Sequence, residues 1–424
     1  MNTLNIYFDN QLVAYISYES NSDIFTLEYD KQWQNDGFEL SPCIKFDSKV
    51  LSKTIKNFLE NLLPEGSGKE LLSIKYHISK NNTFGLVGLI GKETTGALSF
   101  SNEQIQTSFR SVSIKELAQR IRERKEVPIS IWDEKIRLSI AGVQDKLPIC
   151  YIDEKFGFGE GDLSSTHILK FEKNDENLVL NEYLSLILAS LAGLEVADAQ
   201  IISIEDQEVL LVKRFDREIK SSKNVKRKHI VDACQMLDLS VVEKYERVFG
   251  SSSSVKNYRE GASFKKLFSL INLCDSPILV KKNIITWICV NLCLGNSDAH
   301  GKNISFMINK NKISLAPFYD IVNISVYKDL YETDFAMSFN DAFSYEELSP
   351  YELIEFSSNL DIQVKGFAKE FKKVANKILI NLNKKNLFSF NSKKQEEFFD
   401  KYKSDVEERI EKLLLLIDET LKYK

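Results

Sequence analysis

The amino-acid sequence predicts an α+β protein in three parts: an N-terminal α+β module, a strand-rich segment around one helix, and a mostly α-helical C-terminal part. Three observations predict it. Residues 1–110 alternate strand-like runs (Leu4 to Phe8, Leu12 to Ser17, Phe25 to Tyr29) with helical stretches at Val50 to Leu63 and Lys69 to Ile78. Residues 111–240 hold apolar runs such as Thr166 to Phe171, Ala199 to Ile204 and Val209 to Arg214 around an amphipathic helix from Glu182 to Leu191. Residues 241–424 end in a helix that places Phe399, Tyr402, Val406, Ile410, Leu413, Ile417 and Leu421 on one stripe. Spacings of three and four residues put such side chains on one face, as packing onto a core requires.

A chain of 424 residues is long enough for two or three domains with their own cores. Ser113, three residues before Glu116, predicts a capping box opening a helix that runs to Arg122. The net charge of −5 gives no basis for nucleic-acid binding by the chain alone. Its one basic run, Lys220 to His229, reads as a solvated loop between strands rather than a contact to a phosphate backbone. The 6 cysteines show neither zinc spacing nor a disulfide framework. Cys289 and Cys293, one helical turn apart in an apolar helix, read as small buried hydrophobes. His77, His167 and His229 have no partners at metal-ligand spacing. The first residues lack the basic and apolar regions of a signal peptide, and the run Ile284 to Leu294 is too short to span a bilayer. A cytoplasmic location without membrane contact is therefore expected.

The chemistry concentrates in Asn296-Ser297-Asp298-Ala299-His300-Gly301-Lys302-Asn303, followed by Asp320 in Ala316-Pro317-Phe318-Tyr319-Asp320. In kinases an Asp followed five residues later by an Asn supplies the group that accepts the attacking hydroxyl's proton and a metal ligand, and a later Asp holds the metal bridging the phosphates. Asn, Ser, Asp and Gly are also what a bare turn needs. The flanks favour the first reading. An apolar helix from Asn283 to Leu294 precedes, with Gly295 as its stop, and two strands, Ile304 to Ile308 and Lys312 to Leu315, follow.

Two earlier segments supply the other half of such a site. Ser139 to Lys146 is a small polar loop suited to placing backbone N–H groups on phosphate, although with one glycine it matches no standard phosphate motif and also fits a turn. Lys170, on an apolar strand, and Glu182, opening a helix, are the types that clamp the α and β phosphates. Their plainer readings are an edge-strand charge and a carboxylate at a helix N-terminus.

Together these segments resemble the HipA family of serine/threonine kinases, the toxin halves of bacterial toxin–antitoxin pairs. The resemblance rests on Ser139 to Lys146, Ser165 to Lys170, Asn181-Glu182-Tyr183, Val212 to Arg217, Asp232 to Gln235, Ser297 to Asn303 and Pro317 to Asp320. Phe58 to Glu65, Phe84-Gly85-Leu86 and Gly96-Ala97-Leu98 extend it to the N-terminal part. It implies a HipA-like kinase fold: an N-terminal subdomain over 1–110, a kinase N-lobe over 111–240 and a helical C-lobe over 241–424.

The resemblance also implies roles. Asp298 becomes the catalytic base, with His300, Lys302 and Asn303 completing the catalytic loop, and Asn303 and Asp320 hold Mg2+. ATP is held by a phosphate loop of Ala141, Gly142, Val143, Gln144, Asp145 and Lys146, by Lys170 with Glu182, and by a hinge of Val212, Lys213, Arg214 and Phe215, with Asp216 on the ribose side. Ser139 matches the family's autophosphorylated serine, where a phosphate would carry nearly two negative charges beside the phosphate loop. The implied partners are a small helix-turn-helix antitoxin resembling HipB, dimeric and bound to operator DNA, and a protein substrate such as an aminoacyl-tRNA synthetase. DNA contact then runs mainly through the antitoxin.

The sequence departs from the family at Lys213, where a glutamate is frequent, and at Val143 and Asp145, where alanine and glutamate are common. Backbone groups can carry a hinge, so Lys213 bears on nucleotide choice more than on binding. Two other readings stand beside this one: a weakly active or non-catalytic co-repressor partner of a DNA-binding antitoxin, and a kinase of a small molecule or lipid.

Overall fold

The structure is a computed structural model describing residues 2–102, 106–137, 145–173, 176–252, 254–310, 312–384 and 387–423. The chain forms two compact units, one of Met1–Asn174, Asp198–Val241 and Ser305–Ala316, the other of Asp175–Ala197, Val242–Ile304 and Pro317–Lys424.

The first unit is built on antiparallel sheets. One has four strands in the order Ile24–Tyr29, Gln11–Glu19, Asn2–Phe8 and Leu98–Phe100. Helices Ser52–Glu60 and Gly66–Tyr76 fall where the sequence places them. Thr83–Ile90 forms a helix that the sequence reading passed over, because Gly85 and Gly88 weaken the signal that the Asn82 side chain restores by accepting from the Gly85 N–H.

A second sheet has six strands in the order Ala199–Ile204, Gln207–Lys213, His167–Phe171, Lys146–Ile152, Lys155–Glu160 and Ser108–Val112. Alternation sorts its side chains. Leu147, Ile149, Leu169, Phe171, Val209 and Leu211 join Trp132, Phe156 and Phe158 in one apolar core with Leu117 and Ile121 of the helix Ile114–Arg122. Ser113 caps that helix through the Glu116 N–H, but the Glu116 carboxylate turns to Arg110, so the expected reciprocal box is half made. The complete box lies elsewhere, where Asp232 and Gln235 cap each other at Ala233–Met236.

The hairpin Ser305–Asn309 and Lys312–Leu315 pairs with Ile230–Asp232 in a three-stranded sheet of the first unit. The basic run from Lys220 falls within the hairpin Arg217–Ser221 and Asn224–Arg227 rather than an open loop; its turn end is exposed, Arg217 at its base is buried, and Arg227 turns back to the Lys92 carbonyl.

His229, after that hairpin, is buried, stacks on Phe38 and bonds through Nε2 to the Leu40 carbonyl at 2.8 Å. Burial pushes its imidazolium pKa down to about 4. The unfolded chain therefore takes up a proton near pH 6.5 that the folded unit refuses, so stability is constant above that pH and falls as pH drops towards 4. We expect a loss of about 3 kcal/mol over that window from His229. Denaturant titrations from pH 7 to 4.5 should show a steeper decline in wild type than in His229→Asn, and equal slopes would refute this.

The second unit is helical. Val364–Leu382 packs on Pro277–Leu294 and on Leu178–Ala192, with Phe367, Phe371, Trp287 and Tyr402 buried. Pro277–Leu294 starts earlier than the sequence suggested and is, among the described residues, a helix long and apolar enough to cross a membrane, with 61% of it buried within the protein. Cys289 and Cys293 are buried in it as expected. In the last helix, Lys393–Thr420, Tyr402, Val406, Ile410, Leu413 and Ile417 face the core as the stripe predicts. Phe398 is buried in place of Phe399, whose ring meets Phe388 and Phe390 instead.

Candidate active site

The loop carrying Asp298 starts where Pro277–Leu294 ends. Gly295 takes φ +73°, and a Cβ there would lie 2.7 Å from the Arg409 guanidinium carbon and 2.8 Å from Asn323 Oδ1, so glycine is required by both backbone and space. Beyond it the loop closes on itself. The Asp298 carbonyl accepts from the His300 N–H at 2.9 Å and from Asn303 Nδ2 at 2.8 Å, and the Asn303 N–H donates to the His300 carbonyl at 2.9 Å. Residues Gly301–Asn303 form a single 3-10 turn. His300, Lys302 and Asn303 are buried, while Asp298 is exposed. Its amide nitrogen bound to Asp298 fixes the orientation of the Asn303 side chain.

Asp320 sits between two pinned points. On one side Phe318 exchanges backbone bonds with Glu195 and Ala197, both 2.8 Å, and stacks on Trp287. On the other, Asn323 and Asn181 bond reciprocally, Asn181 Nδ2 to the Asn323 carbonyl at 2.9 Å and the Asn323 N–H to Asn181 Oδ1 at 2.8 Å. Asp320 itself has φ +53°, a left-handed conformation that Asp tolerates and that clusters at functional sites. The Tyr319 hydroxyl donates to the Lys302 carbonyl at 2.7 Å, tying the segment of Asp320 to the loop of Asn303.

The two candidate metal ligands of the sequence, Asn303 and Asp320, would offer one amide and one carboxylate oxygen. Among the described residues no cluster of three or more His, Cys, Asp or Glu could hold a metal by itself. A sparse all-oxygen set fits Mg2+, which keeps waters and substrate phosphates in its shell, and does not fit zinc. Glu182 is buried in the helix Leu178–Ala192 of the same unit.

The first unit holds the remaining candidates. Lys146 and Lys170 are directly opposed across neighbouring antiparallel strands, and both are buried, at 7% and 6% exposure. Alternation puts them on the sheet face opposite Leu147 and Leu169, away from the apolar core. Asp145 is exposed, and its carbonyl accepts from the Phe171 N–H at 3.3 Å. Ser139, Ala141, Gly142, Val143 and Gln144 lie outside the described residues.

At the expected hinge, Val212 is buried, Lys213 exposed and Phe215 half-buried. The Lys213 N–H donates to the Asp198 carbonyl at 2.8 Å and the Arg214 N–H to the Thr166 carbonyl at 2.9 Å. Arg214 and Asp216 belong to a buried charge cluster. Asp216 Oδ1 accepts from Arg214 Nε at 3.0 Å, and its Oδ2 accepts from Arg214 Nη2 at 2.8 Å, Arg217 Nη1 at 2.7 Å and the Gly96 N–H at 2.8 Å. Glu93 accepts from Arg214 Nη1 at 3.3 Å and from Ser165. Burial alone would raise the Asp216 carboxyl, but Arg214 and then Arg217 outweigh it and hold it well below the usual carboxylate range. Both carboxylate oxygens of Asp216 accept from protein donors, so the residue holds this cluster together, and the ribose role expected for it would have to use the remaining acceptor capacity of Oδ1.

Sequence reasoning did not single out Tyr245, Tyr319, Glu93 or Arg217 for any role. Tyr245 Oη donates to Asp298 Oδ1 at 2.7 Å. Arg217 could have been noticed as a charge three residues from another arginine, with an aspartate between them, but Tyr245 carries no local signal.

Comparisons with known proteins bear on the family and the fold. The HipA N-terminal domain family matches residues 4–101 and the HipA-like C-terminal domain family matches residues 138–385. The serine/threonine-protein kinase toxin HipA of Shewanella oneidensis is 41% identical over 364 residues, covering 85% of this chain and 84% of that protein. The structure of a Shewanella oneidensis toxin–antitoxin complex of HipA, HipB and operator DNA superposes with a TM-score of 0.89 at 37% identity, covering 98% of this chain and 99% of that one. The α+β architecture and the kinase reading of the sequence both stand: the chain belongs to the HipA family and is a protein kinase.

Proposed function

We propose that this chain transfers the γ-phosphoryl group of Mg-ATP to a serine or threonine hydroxyl of a protein and acts as the growth-inhibiting toxin of a toxin–antitoxin pair. The observation that carries the reading is the closed loop in which Asn303 binds the Asp298 carbonyl while Tyr319 ties Lys302 to the segment of Asp320. That loop holds an exposed carboxylate on a backbone that does not depend on it, beside an all-oxygen donor pair.

In this reading Asp298 accepts the proton of the acceptor hydroxyl, and Asn303 and Asp320 are the residues that would hold Mg2+, which when bound would supply neutralisation of phosphate charge. Lys146 and Lys170 would take the phosphates and Val212 to Phe215 would form the adenine hinge, with Glu182 retained as a candidate nucleotide-binding residue. His300 and Lys302, both buried, hold the loop's shape. Catalysis is then positioning and charge stabilisation. Phosphorylation of Ser139, which lies outside the described residues, would add nearly two negative charges next to the expected phosphate-binding segment and oppose ATP binding.

The partner most consistent with the relatives is a small helix-turn-helix protein resembling HipB, which would carry operator contact, since this chain's charge of −5 suits DNA binding poorly. A translation component such as an aminoacyl-tRNA synthetase is the target class the family suggests, in the cytoplasm.

The test is intact mass and phosphopeptide mapping after incubation with Mg-ATP, with and without EDTA. Wild type should gain phosphate at Ser139 only when metal is present. Phosphate gain that survives EDTA would remove Asn303 and Asp320 from the mechanism, and gain confined to other residues would remove the Ser139 switch.

A further inference from the structure

The hydroxyl on Asp298 comes from Tyr245, far from it in the chain, and the backbone around that tyrosine is fixed on every side. The Ala262 N–H donates to the Glu243 carbonyl at 2.8 Å, the Gly261 N–H to the Glu246 carbonyl at 3.2 Å, and the Glu246 N–H to the Ala336 carbonyl at 2.9 Å. Gly261 approaches so closely that a Cβ there would lie 1.8 Å from the Tyr245 carbonyl oxygen. The Glu246 carboxylate is buried and accepts from the Ser338 N–H at 2.8 Å and from Arg259 Nε at 2.7 Å.

Ala336 joins the two sides of the contact. Its N–H donates to the Ser297 carbonyl at 2.9 Å and its carbonyl accepts from the Glu246 N–H at 2.9 Å. Ser297 precedes Asp298 and Glu246 follows Tyr245, so one residue sets the spacing between the tyrosine and the aspartate. The tyrosine ring is also held edge-on against the His300 ring, with centroids 5.0 Å apart at 84°.

We infer that Tyr245 is a positioning residue for phosphoryl transfer, its hydroxyl fixing the orientation of the Asp298 carboxylate towards the acceptor hydroxyl. This rests on the reading of Asp298 as the base. A movable latch that plugs the base until substrate arrives needs a backbone able to swing away, and three backbone bonds plus the buried Glu246 prevent that. Nor does the contact exclude an acceptor, because an ionised carboxylate offers about four lone-pair sites on two oxygens. A fixed donor on one oxygen removes rotamer freedom that the base would otherwise lose on reaching the transition state.

The experiment measures transfer from Mg-ATP by the full chain, both onto itself and onto dephosphorylated casein as a generic protein acceptor, for wild type, Tyr245→Phe, Tyr245→Leu and Asp298→Asn. Tyr245→Phe keeps the ring against His300 and removes one oxygen. One hydrogen bond to a charged group, felt in the transition state, corresponds to a fall in kcat of about tenfold. That fall should come with KM for ATP and Tm unchanged, and Tyr245→Leu should lose at least as much kcat.

An unchanged kcat in Tyr245→Phe, a raised one as for a latch, a loss matched by a drop in Tm, or phosphate mapped to Tyr245 itself would each overturn the proposal. If Asp298→Asn is inactive while Tyr245→Phe matches wild type, only the role of Tyr245 falls. If Asp298→Asn keeps the full rate, the base assignment fails and this inference with it. Wild type transferring to neither acceptor would defeat both.

Discussion

Asp298→Asn should lower phosphoryl transfer by roughly 10²–10⁴-fold while leaving the fold intact. The substitution keeps the side chain's shape and an oxygen that can accept from Tyr245, and removes the lone pair that takes a proton. The loop has no reason to rearrange, because its closing bonds come from the Asp298 backbone carbonyl, which accepts from His300 and Asn303 whatever the side chain is. The exposure of Asp298 argues the same way, since no desolvated charge is lost. Three measurements check this: single-turnover transfer from Mg-ATP, affinity for a fluorescent ATP analogue, and Tm. The first should collapse and the other two should stay level. More than about a tenth of the wild-type rate in this variant would fall short of general-base catalysis and return Asp298 to a turn residue. In cells, growth arrest on induction should vanish with the same substitution, whereas arrest or operon repression that survives it would point to the co-repressor reading.

What the sequence made legible was local. Alternation along His167–Phe171 separates Lys170 from Leu169 and Phe171 without a structure, and the apolar run before Gly295 announces a buried helix whose end starts the loop of Asp298. The spacing of Asp298, Asn303 and Asp320 pointed to kinase chemistry because those residues lie in one short stretch of chain. Features set by distant partners stayed hidden. Nothing near Ser305–Asn309 tells that this hairpin pairs with Ile230–Asp232, since Val231 meets Phe306 only in the fold. Whether Asp216 faces a ligand or an arginine pair depends on Gly96 and Glu93, more than a hundred residues upstream. Phe398 and Phe399 are adjacent on a helix, and a phase error of one residue is enough to exchange the buried ring for its neighbour. Tyr245 is one aromatic residue among charged neighbours, and its meaning comes entirely from Asp298 and Ala336.

Asp216→Ala should be the most destabilising single change in the first unit, by about 3–5 kcal/mol. Arg214 and Arg217 are buried at 4% exposure each, and Asp216 is the carboxylate that neutralises both. Without it the two guanidinium groups face one another with Glu93 as the remaining partner, at 3.3 Å from Arg214 and 3.9 Å from Arg217. One buried positive charge is then left uncompensated, which costs more than the loss of the ion pair itself. The pH dependence follows from the direction of the shift. A carboxyl held below its unfolded value contributes its full stability above about pH 4 and loses it only as pH falls through the folded value, so the deficit should be flat from about pH 5 to about pH 8. Adding Arg217→Met should restore part of the loss by removing the orphaned charge, although Arg217 also bonds the Thr94 and Gly96 carbonyls at 2.8 and 2.7 Å. The effect reaches function because Arg214 Nη1 bonds Ser165 Oγ at 2.7 Å, just ahead of the strand that carries Lys170, while the Arg214 backbone leads out of the expected hinge. Loosening this cluster should therefore raise KM for ATP more than it lowers kcat in whatever fraction of Asp216→Ala stays folded. Guanidinium titration of wild type, Asp216→Ala and the double variant decides the matter. A single-variant loss below about 1 kcal/mol would mean that the cluster is solvated and that the hinge does not depend on it.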